Sequence, residues 1–270
     1  MMQNDFILKD DEYIKDGIVF CKKCNTPRMV KFPDFTTRSL CQCQAKARDE
    51  KIIEEEKRQR LYQIQSLRAS SLLTERYKNA RFENIDLDRP KDFLTAYSRC
   101  IKFCENWDAV KGCGASIYIY GDKGTGKTLL TACIANRLMD NLVPVHMTNL
   151  LEFSKKIRAS YSVDGMTEDE VISQFARVPL LIIDDISMTT FAKNNEDTFL
   201  QSKFYDLINY RYNRQLPTIF SSNVSLTDLV NVNGLKPVIA DRINGMCHAV
   251  IRLQGDSYRT KIAQETKPLF

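Results

Sequence analysis

The sequence lacks any apolar run that approaches the roughly 20 residues needed to cross a bilayer. Its first residues, Met1–Asp11, are acidic and carry no long apolar core, so they do not resemble a secretory signal peptide. A net charge of +5 is only mildly basic, so contact with nucleic acid is allowed but not required. These features predict a cytoplasmic protein without a membrane partner.

Histidine is also scarce, with 2 in the chain and none in residues 1–43, whereas cysteine occurs 9 times. Cytosolic thiols stay reduced, so this many cysteines indicate metal ligands or free thiols rather than disulfides. Because the N-terminal stretch has no histidine, a metal site there would consist of cysteines alone.

Two close cysteine pairs, Cys21-x2-Cys24 and Cys41-x-Cys43, lie in this stretch. Four thiolates from two pairs can form a tetrahedral Zn²⁺ site. So short a segment needs metal to supply its folding energy, and we therefore predict a zinc-binding domain over residues 1–43. The alternative is four unliganded thiols. Nearby cations that would offset the negative charge of a zinc centre are Lys22, Lys23, Arg28, Lys31 and Arg38.

Residues 44–69 are rich in helix-forming residues and contain no glycine or proline. Charges of both signs alternate along them, which is typical of a solvated linker helix, although its basic residues could instead contact nucleic acid. Residues 70–270 would then form the main domain.

A glycine-rich motif near the middle of the chain fits G-x-x-x-x-G-K-[ST], the phosphate-binding P-loop. Its glycines allow positive φ angles, so that successive N–H groups can turn towards an anion. An apolar strand precedes the motif and a helix follows it, as this loop requires. Lys127 would reach the β- and γ-phosphates of ATP, and Thr128 would bind Mg²⁺. The nucleotide-binding residues of the motif are Gly121, Asp122, Lys123, Gly124, Thr125, Gly126, Lys127 and Thr128.

From Ala115 onward, predicted strands and helices alternate, which indicates an α/β fold with a parallel sheet covered on both faces. The apolar segment Pro179–Ile183 ends in Asp184 and Asp185. A carboxylate at this point can hold Mg²⁺, which we assign to Asp184, and the second can polarise the attacking water, which we assign to Asp185. Asn223 follows another strand, at the edge where parallel sheets bind ligands, and could orient that water.

Five motifs in this order resemble the AAA+ ATPases: the P-loop, Leu181–Asp185, Ser221–Asn223, Ala240–Ile243 and Gly255–Arg259. More narrowly, residues 70–262 resemble the DnaC/DnaI replicative helicase loaders and the related transposition ATPase IstB. The resemblance implies an AAA+ domain with five parallel strands in the order 5-1-4-3-2 and assembly into a ring or spiral. It also implies that Asn223 is the sensor 1 residue, Arg242 the arginine finger and Arg259 the sensor 2 arginine. Asp185 departs from the glutamate that is commoner in AAA+ proteins.

The N-terminal cysteine unit favours a loader, because DnaI-like and phage-type loaders carry such a zinc unit and bind the helicase with it. The implied partners are a DnaB-type hexameric helicase and single-stranded DNA. Cations and an aromatic side chain that could track single-stranded DNA are Lys155, Lys156, Arg158 and Tyr161, although a plain solvated helix explains them equally well.

Three other interpretations stay open on the sequence. The chain could be an IstB-like ATPase that acts on duplex DNA, or a nucleotide-switched adaptor with little turnover. The zinc unit could also serve only to stabilise the terminus.

Overall fold

A computed structural model of the protein describes residues 8–33, 35–70, 76–161, 166–188, 195–258 and 260. The chain forms two compact units, Met1–Leu61 and Tyr62–Phe270. Helix α1, Gln42–Ser70, spans the division between them, so the predicted helix over the charged stretch is present. The finer division at residues 43 and 69 stays a prediction. No helix in the described ranges has both the length and the apolar character for crossing a membrane.

The first unit consists of two β-hairpins and the start of α1. Strands β1 (Glu12–Lys15) and β2 (Ile18–Cys21) are antiparallel, and so are β3 (Met29–Lys31) and β4 (Thr36–Arg38). Arg28 lies buried between the hairpins, where it pairs with Glu12 at 3.0 Å and with Asp11 at 2.6 Å. An interior centred on a charged side chain provides little hydrophobic stabilisation, which is the condition under which small domains depend on metal.

The second unit alternates strands and helices from Ala115 onward, as the sequence predicts, although the short helix Leu226–Asn231 was not predicted. The elements are α2 (Lys91–Glu105), α3 (Trp107–Cys113), β5 (Ser116–Gly121), α4 (Lys127–Asp140), β6 (Val145–Thr148), α5 (Leu150–Ala159), α6 (Glu168–Ala176), β7 (Leu180–Ile183), α7 (Asn195–Asn213), β8 (Thr218–Ser222), α8 (Leu226–Asn231), α9 (Pro237–Met246) and β9 (Cys247–Leu253).

The five strands form one parallel sheet in the order β6-β7-β8-β5-β9. Counted from the strand that precedes the glycine-rich loop, this is 5-1-4-3-2 from one edge to the other, and the prediction is confirmed. The order places β5, which ends at the loop, directly beside β8. The polar residues that follow β7 and β8 therefore lie near the loop.

Alternation along the strands divides the core between the two faces of the sheet. In β7, Leu180 and Ile182 pack with α2 and α4, whereas Leu181 and Ile183 pack on the opposite face with α5, α6, α7 and α9. All four side chains are at most 1% exposed. Each such side chain contributes about 1.5–3 kcal/mol, so this strand is held firmly where the two aspartates begin.

The sequence pattern predicts a helix over Lys91–Asp108, a strand over Val143–Thr148 and a helix over Pro237–Ile243, and the structure changes the bounds of each. The predicted helix Lys91–Asp108 is two helices, because Asn106 ends α2 and begins α3, with its side chain bonded to the carbonyl of Lys102. The predicted strand Val143–Thr148 begins only at Val145, since Pro144 lacks an N–H donor. The predicted helix Pro237–Ile243 continues to Met246.

Candidate functional site: a phosphate-binding loop beside two aspartates

The loop between β5 and α4 has the backbone conformation that its glycines predict. Gly121, Gly124 and Gly126 have φ angles of 139°, 85° and 105°. A Cβ on Gly121 would lie 1.8 Å from the carbonyl oxygen of Leu253, and a Cβ on Gly126 would lie 2.7 Å from the ring of Phe93. Larger residues are therefore excluded by both conformation and space, and the loop stays close to its neighbours.

Lys127 begins α4 and turns its side chain back into the loop. Its Nζ donates to the carbonyl oxygens of Gly121 and Asp122 at 2.7 and 2.8 Å. The loop is further braced by Thr125, whose hydroxyl donates to Asp122 O at 2.8 Å. The ammonium group is thus held at the centre of the loop, the position from which a P-loop lysine reaches phosphate.

Thr128 and Asp184 meet beneath the loop. The hydroxyl of Thr128 donates to Asp184 Oδ2 at 3.0 Å, and Ser221 Oγ donates to Asp184 Oδ1 at 2.5 Å. Burial raises the pKa of Asp184, although these hydroxyl groups oppose that shift. A hydroxyl and a carboxylate placed together fit the oxygen ligands that Mg²⁺ prefers, and both residues were predicted to bind it.

Asp185 lies next to this pair and is fixed from two sides. Asn223 Nδ2 donates to its carboxylate at 3.0 and 3.2 Å, and Ser187 Oγ donates to it at 2.7 Å. Ser187 Oγ also accepts the backbone N–H of Asn223 at 2.9 Å. Asp185 has a φ of 46°, in the left-handed region that aspartate tolerates better than most residues. The structure thus brings Asp185 and Asn223 together, as parallel strand ends allow.

A cavity of about 390 Å³ opens between the loop and these acids. Asp185, Ser221 and Asn223 line one end, and Arg76, Tyr77 and Ala80 contribute to its wall. Of the aromatic and apolar residues that precede α2, Tyr77 lines this cavity, whereas Phe82 and Ile85 are buried in the core. The cavity's remaining lining residues are Asn79, Arg89, Lys123, Gly124, Gly126, Lys127, Thr128, Leu129 and Tyr258.

Of the two predicted arginines, Arg242 lies among the described residues. Arg242, on α9, is half-buried outside this cavity, where Nε donates to Asn209 Oδ1 at 2.8 Å and the guanidinium lies 4.8 Å from the ring centre of Tyr205. Arg259 lies outside the described residues. Its neighbour Tyr258 is placed against the loop, with its N–H bonded to Gly124 O at 3.1 Å.

The predicted DNA-contacting residues do not form one uniform surface. Lys155 is exposed and pairs with Glu152 at 3.0 Å, and Arg158 is exposed on the same helix. Tyr161 is 60% exposed just beyond it. Lys156 is half-buried instead, with its ammonium group 5.3 Å from the ring centre of Phe175. The exposed set is therefore Lys155, Arg158 and Tyr161.

In the first unit, the four predicted cysteines converge. The sulphur atoms of Cys21, Cys24, Cys41 and Cys43 all lie within 4.8 Å of one another. Arg28 donates to the sulphurs of Cys21 and Cys41 at 3.5 Å each, which supplies the positive charge expected near thiolates. Two of the other predicted cations bond elsewhere: Lys22 to the carbonyl of Asp10 and Arg38 to Glu12.

The donor chemistry of the cluster suits a shared divalent cation. A hydrogen bond with Thr26 lowers the pKa of Cys24 to about 5, whereas the neighbouring Cys41 raises the pKa of Cys43 to about 12. Thiolates this close together repel one another, and a bound cation relieves that repulsion. Four sulphurs without a histidine correspond to a structural zinc site.

Ser221, Ser187 and Arg89 are among the residues of the site that were not predicted from the sequence. Ser221 precedes Asn223 by two positions, and the two-residue period of strands could have indicated that both point towards the acids. Ser187 and Arg89 gave no such signal, because their positions depend on a short turn after β7 and on the approach to α2.

Comparison with known proteins relates the chain to the family that its motifs resemble. The family model described as IstB-like ATP binding protein matches residues 36–266. The replicative helicase loader DnaI of Bacillus subtilis is 30% identical over 169 residues, which cover 61% of this chain but only 50% of DnaI. The chain therefore spans half of that relative's length. The replicative helicase loader DnaC of Escherichia coli is 24% identical over 186 residues, covering 69% of this chain and 71% of DnaC.

Solved structures agree on the fold. The replication initiator DnaA bound to AMPPCP and single-stranded DNA superposes with a TM-score of 0.57 at 22% identity, over 72% of this chain and 55% of DnaA. The second unit has the AAA+ P-loop fold, which contains a five-stranded parallel sheet. With a family model that matches most of its length, the chain belongs to the IstB-like ATP-binding proteins.

Proposed function

We propose that this protein is a magnesium-dependent ATPase that loads a DnaB-type replicative helicase onto single-stranded DNA when replication begins. The observation that supports ATP hydrolysis best is the arrangement at one cavity, where Thr128 bonds to Asp184 and Asn223 bonds to Asp185 beneath the glycine-rich loop. These are the groups that phosphoryl transfer requires: a phosphate cradle, metal ligands and a base for water.

In this proposal each residue has one task. The N–H groups of residues 122–128 and the ammonium of Lys127 bind the phosphates. Thr128 and Asp184 hold Mg²⁺, which would neutralise phosphate charge when bound. Asp185 takes the proton of the attacking water, and Asn223 fixes the orientation of that carboxylate.

Arg242 would act in the site of a neighbouring subunit. It lies outside the cavity of its own chain, where Asn209 and Tyr205 hold the side chain in place. A permanently charged, planar guanidinium suits a γ-phosphate. This assignment, together with the AAA+ fold, supports assembly into a ring or spiral. Arg259 is proposed as the sensor 2 arginine, since Tyr258 beside it is bonded to the loop.

The loader role is supported by the names of the relatives, DnaI and DnaC, which are replicative helicase loaders. The first unit adds a surface that could bind a protein partner. Phe32 and Phe35 stack at the tip of the second hairpin with ring centres 4.8 Å apart, and Phe35 is 58% exposed. Exposed aromatic pairs on a small domain are typical binding residues. We assign the helicase contact to this tip.

Zn²⁺ would be held by Cys21, Cys24, Cys41 and Cys43 and would tie β2 to the start of α1. Its role would be structural, because four cysteines leave no open position for a substrate. Single-stranded DNA would run along the exposed side of α5, where Lys155 and Arg158 can contact phosphates and Tyr161 can stack on a base.

A loading assay tests the whole proposal. The substrate is circular single-stranded DNA coated with single-strand-binding protein and carrying an annealed oligonucleotide, and the readout is displacement by the host DnaB-type helicase. We expect displacement to require this protein and ATP, and Lys127→Ala to abolish it. Phe35→Ser should weaken helicase binding about 10-fold or more, whereas Ile53→Ser, at an exposed position on α1, should not.

Other results would support other functions. Helicase activity that is independent of this protein, with ATP-dependent binding to duplex DNA, would favour an IstB-like role, which the matched family model makes the second candidate. Binding of ATP without turnover in the presence of helicase and DNA would favour an adaptor.

A further inference from the structure

Arg89 is one of the cations that line the cavity, and it is not part of any motif discussed above. The guanidinium of Arg89 is placed between two aromatic rings, 4.7 Å from the ring centre of Phe93 and 3.2 Å from that of Tyr258. It lines the cavity together with Lys123 and Gly124. Arg89 precedes α2, so it comes from a part of the chain well before the glycine-rich loop.

Arg89 is half-buried, and one of its hydrogen-bond donors has no partner within the described ranges. Its Nε is buried and has no hydrogen-bond partner among the described residues. Burial lowers the pKa of Arg89, although Tyr258 and Asp86 oppose that shift. The nearby carboxylate of Asp86 accepts a hydrogen bond from the hydroxyl of Tyr258. A buried donor without a partner is unfavourable, so packing against the two rings does not account for the Nε of Arg89.

Both rings that hold Arg89 are attached to the phosphate-binding loop. The ring of Phe93 lies against Gly126, where a Cβ would be 2.7 Å away. The N–H of Tyr258 donates to the carbonyl of Gly124 at 3.1 Å. The guanidinium is therefore held in a fixed position relative to the N–H groups that bind phosphates. A rigid fork of donors held in place binds phosphate with little loss of conformational freedom.

We propose that Arg89 is a nucleotide-binding residue that contacts the phosphate chain of ATP bound in its own subunit. The inference rests on the proposed function, because it takes the cavity to be the ATP site. It differs from the arginine-finger assignment in that Arg242 would act on a neighbour, whereas Arg89 acts within the chain that carries it. A monomer would then already contain two cations for the phosphates, Lys127 and Arg89.

The test compares four variants of the full-length protein by isothermal titration with ATP and with GTP. Arg89→Gln should weaken ATP binding by about 10-fold or more, the effect of losing a charge-assisted hydrogen bond. Arg89→Lys should fall between the wild type and Arg89→Gln, because it keeps the charge but not the fork. Arg99→Gln, an exposed residue of α2 with the same change in charge, should bind like the wild type. Lys127→Ala sets the level of a disabled site.

A phosphate contact also predicts that the ratio of ATP to GTP affinity stays the same in Arg89→Gln. ATP binding by Arg89→Gln within about twofold of the wild type would overturn the inference, even if the melting temperature fell, because Arg89 would then only pack the core. A changed ATP to GTP ratio would overturn it too, since Arg89 would contact the base. If Arg89→Gln does not fold, wild-type ATP affinity of Arg89→Lys at both low and high salt would also overturn the inference.

The outcomes separate this inference from the proposed function. A wild-type protein that binds no ATP would overturn both. A wild type that binds ATP, a Lys127→Ala that does not, and an Arg89→Gln that binds normally would leave the ATPase proposal intact and overturn the role of Arg89 alone.

Discussion

Asp185→Asn provides the sharpest test of the proposed hydrolysis chemistry. The exchange keeps the size of the side chain, and asparagine tolerates the positive φ of 46° at this position. One oxygen remains to accept the hydrogen bond from Asn223, so at most about one hydrogen bond, worth about 1 kcal/mol, is lost. For a domain of this size that corresponds to a fall in melting temperature of about 2–4 °C.

The effect on catalysis should be much larger than the effect on stability. A general base contributes about 10²–10⁴-fold to a rate, and an amide cannot take a proton from water. We therefore expect ATP hydrolysis to fall at least about 100-fold, while ATP binding stays within about twofold, because Thr128 and Asp184 remain. The assay is phosphate release in the presence of helicase and single-stranded DNA, with binding of a fluorescent ATP analogue measured in parallel.

Ser187→Ala is the matched control. It removes the hydroxyl that donates to Asp185 at 2.7 Å but leaves the carboxylate and its contact with Asn223. Its hydrolysis rate should fall by less than that of Asp185→Asn. If Asp185→Asn hydrolyses ATP within about threefold of the wild-type rate under stimulating conditions, Asp185 is not the group that activates water.

Three further predictions concern the metal sites and the assembly. Asp184→Asn should abolish Mg²⁺-dependent ATP binding but raise the melting temperature of the nucleotide-free protein at pH 7. Burial raises the pKa of Asp184 in the folded protein above the usual 3.8, so the ionised carboxylate destabilises the fold at neutral pH. The gain in melting temperature should therefore shrink as the pH is lowered towards 3.8. No gain at pH 7 would contradict this account. Cys24→Ser should release zinc, measured by metal analysis, and unfold the first unit while ATP binding persists; wild-type protein free of zinc would refute the site. Arg242→Ala should bind ATP normally but lose stimulated hydrolysis by on the order of 10³-fold, and mixing it with Lys127→Ala should restore activity, because one kind of junction then joins two intact partners. Co-assembled mixtures that stay inactive would refute action in trans.

The motifs proposed to bind phosphate and metal are local, and the sequence alone was enough to locate them. The glycines of the P-loop are needed for their own φ angles, and the P-loop and the acids after β7 each depend on a strand of a few apolar residues. The close cysteine pairs likewise predicted which sulphurs would meet. For the P-loop and the acids the deciding physical constraint acts between residues near one another in the chain. Each cysteine pair is local too, but the contact between Cys21 and Cys43 joins residues 22 positions apart.

The sheet order was also predicted, but through the resemblance to AAA+ ATPases rather than from local pattern. The alternation of strands and helices shows that a sheet is parallel, but it does not show which strands are neighbours. That information came from the family and was confirmed by the pairing of β5 with both β8 and β9.

Contacts between segments far apart in the sequence were decided only by the tertiary structure. Arg89 lies between Phe93 and Tyr258, and Lys156 turns towards Phe175 although its spacing matches that of the exposed cations. A helical pattern shows which residues share a face, but not what packs against that face or which side chain is buried by it. The residues of the polar network at the two aspartates belong to local motifs, but their contacts depend on the tertiary structure. Ser221 and Asn223 reach Asp184 and Asp185 only because β8 lies beside β7.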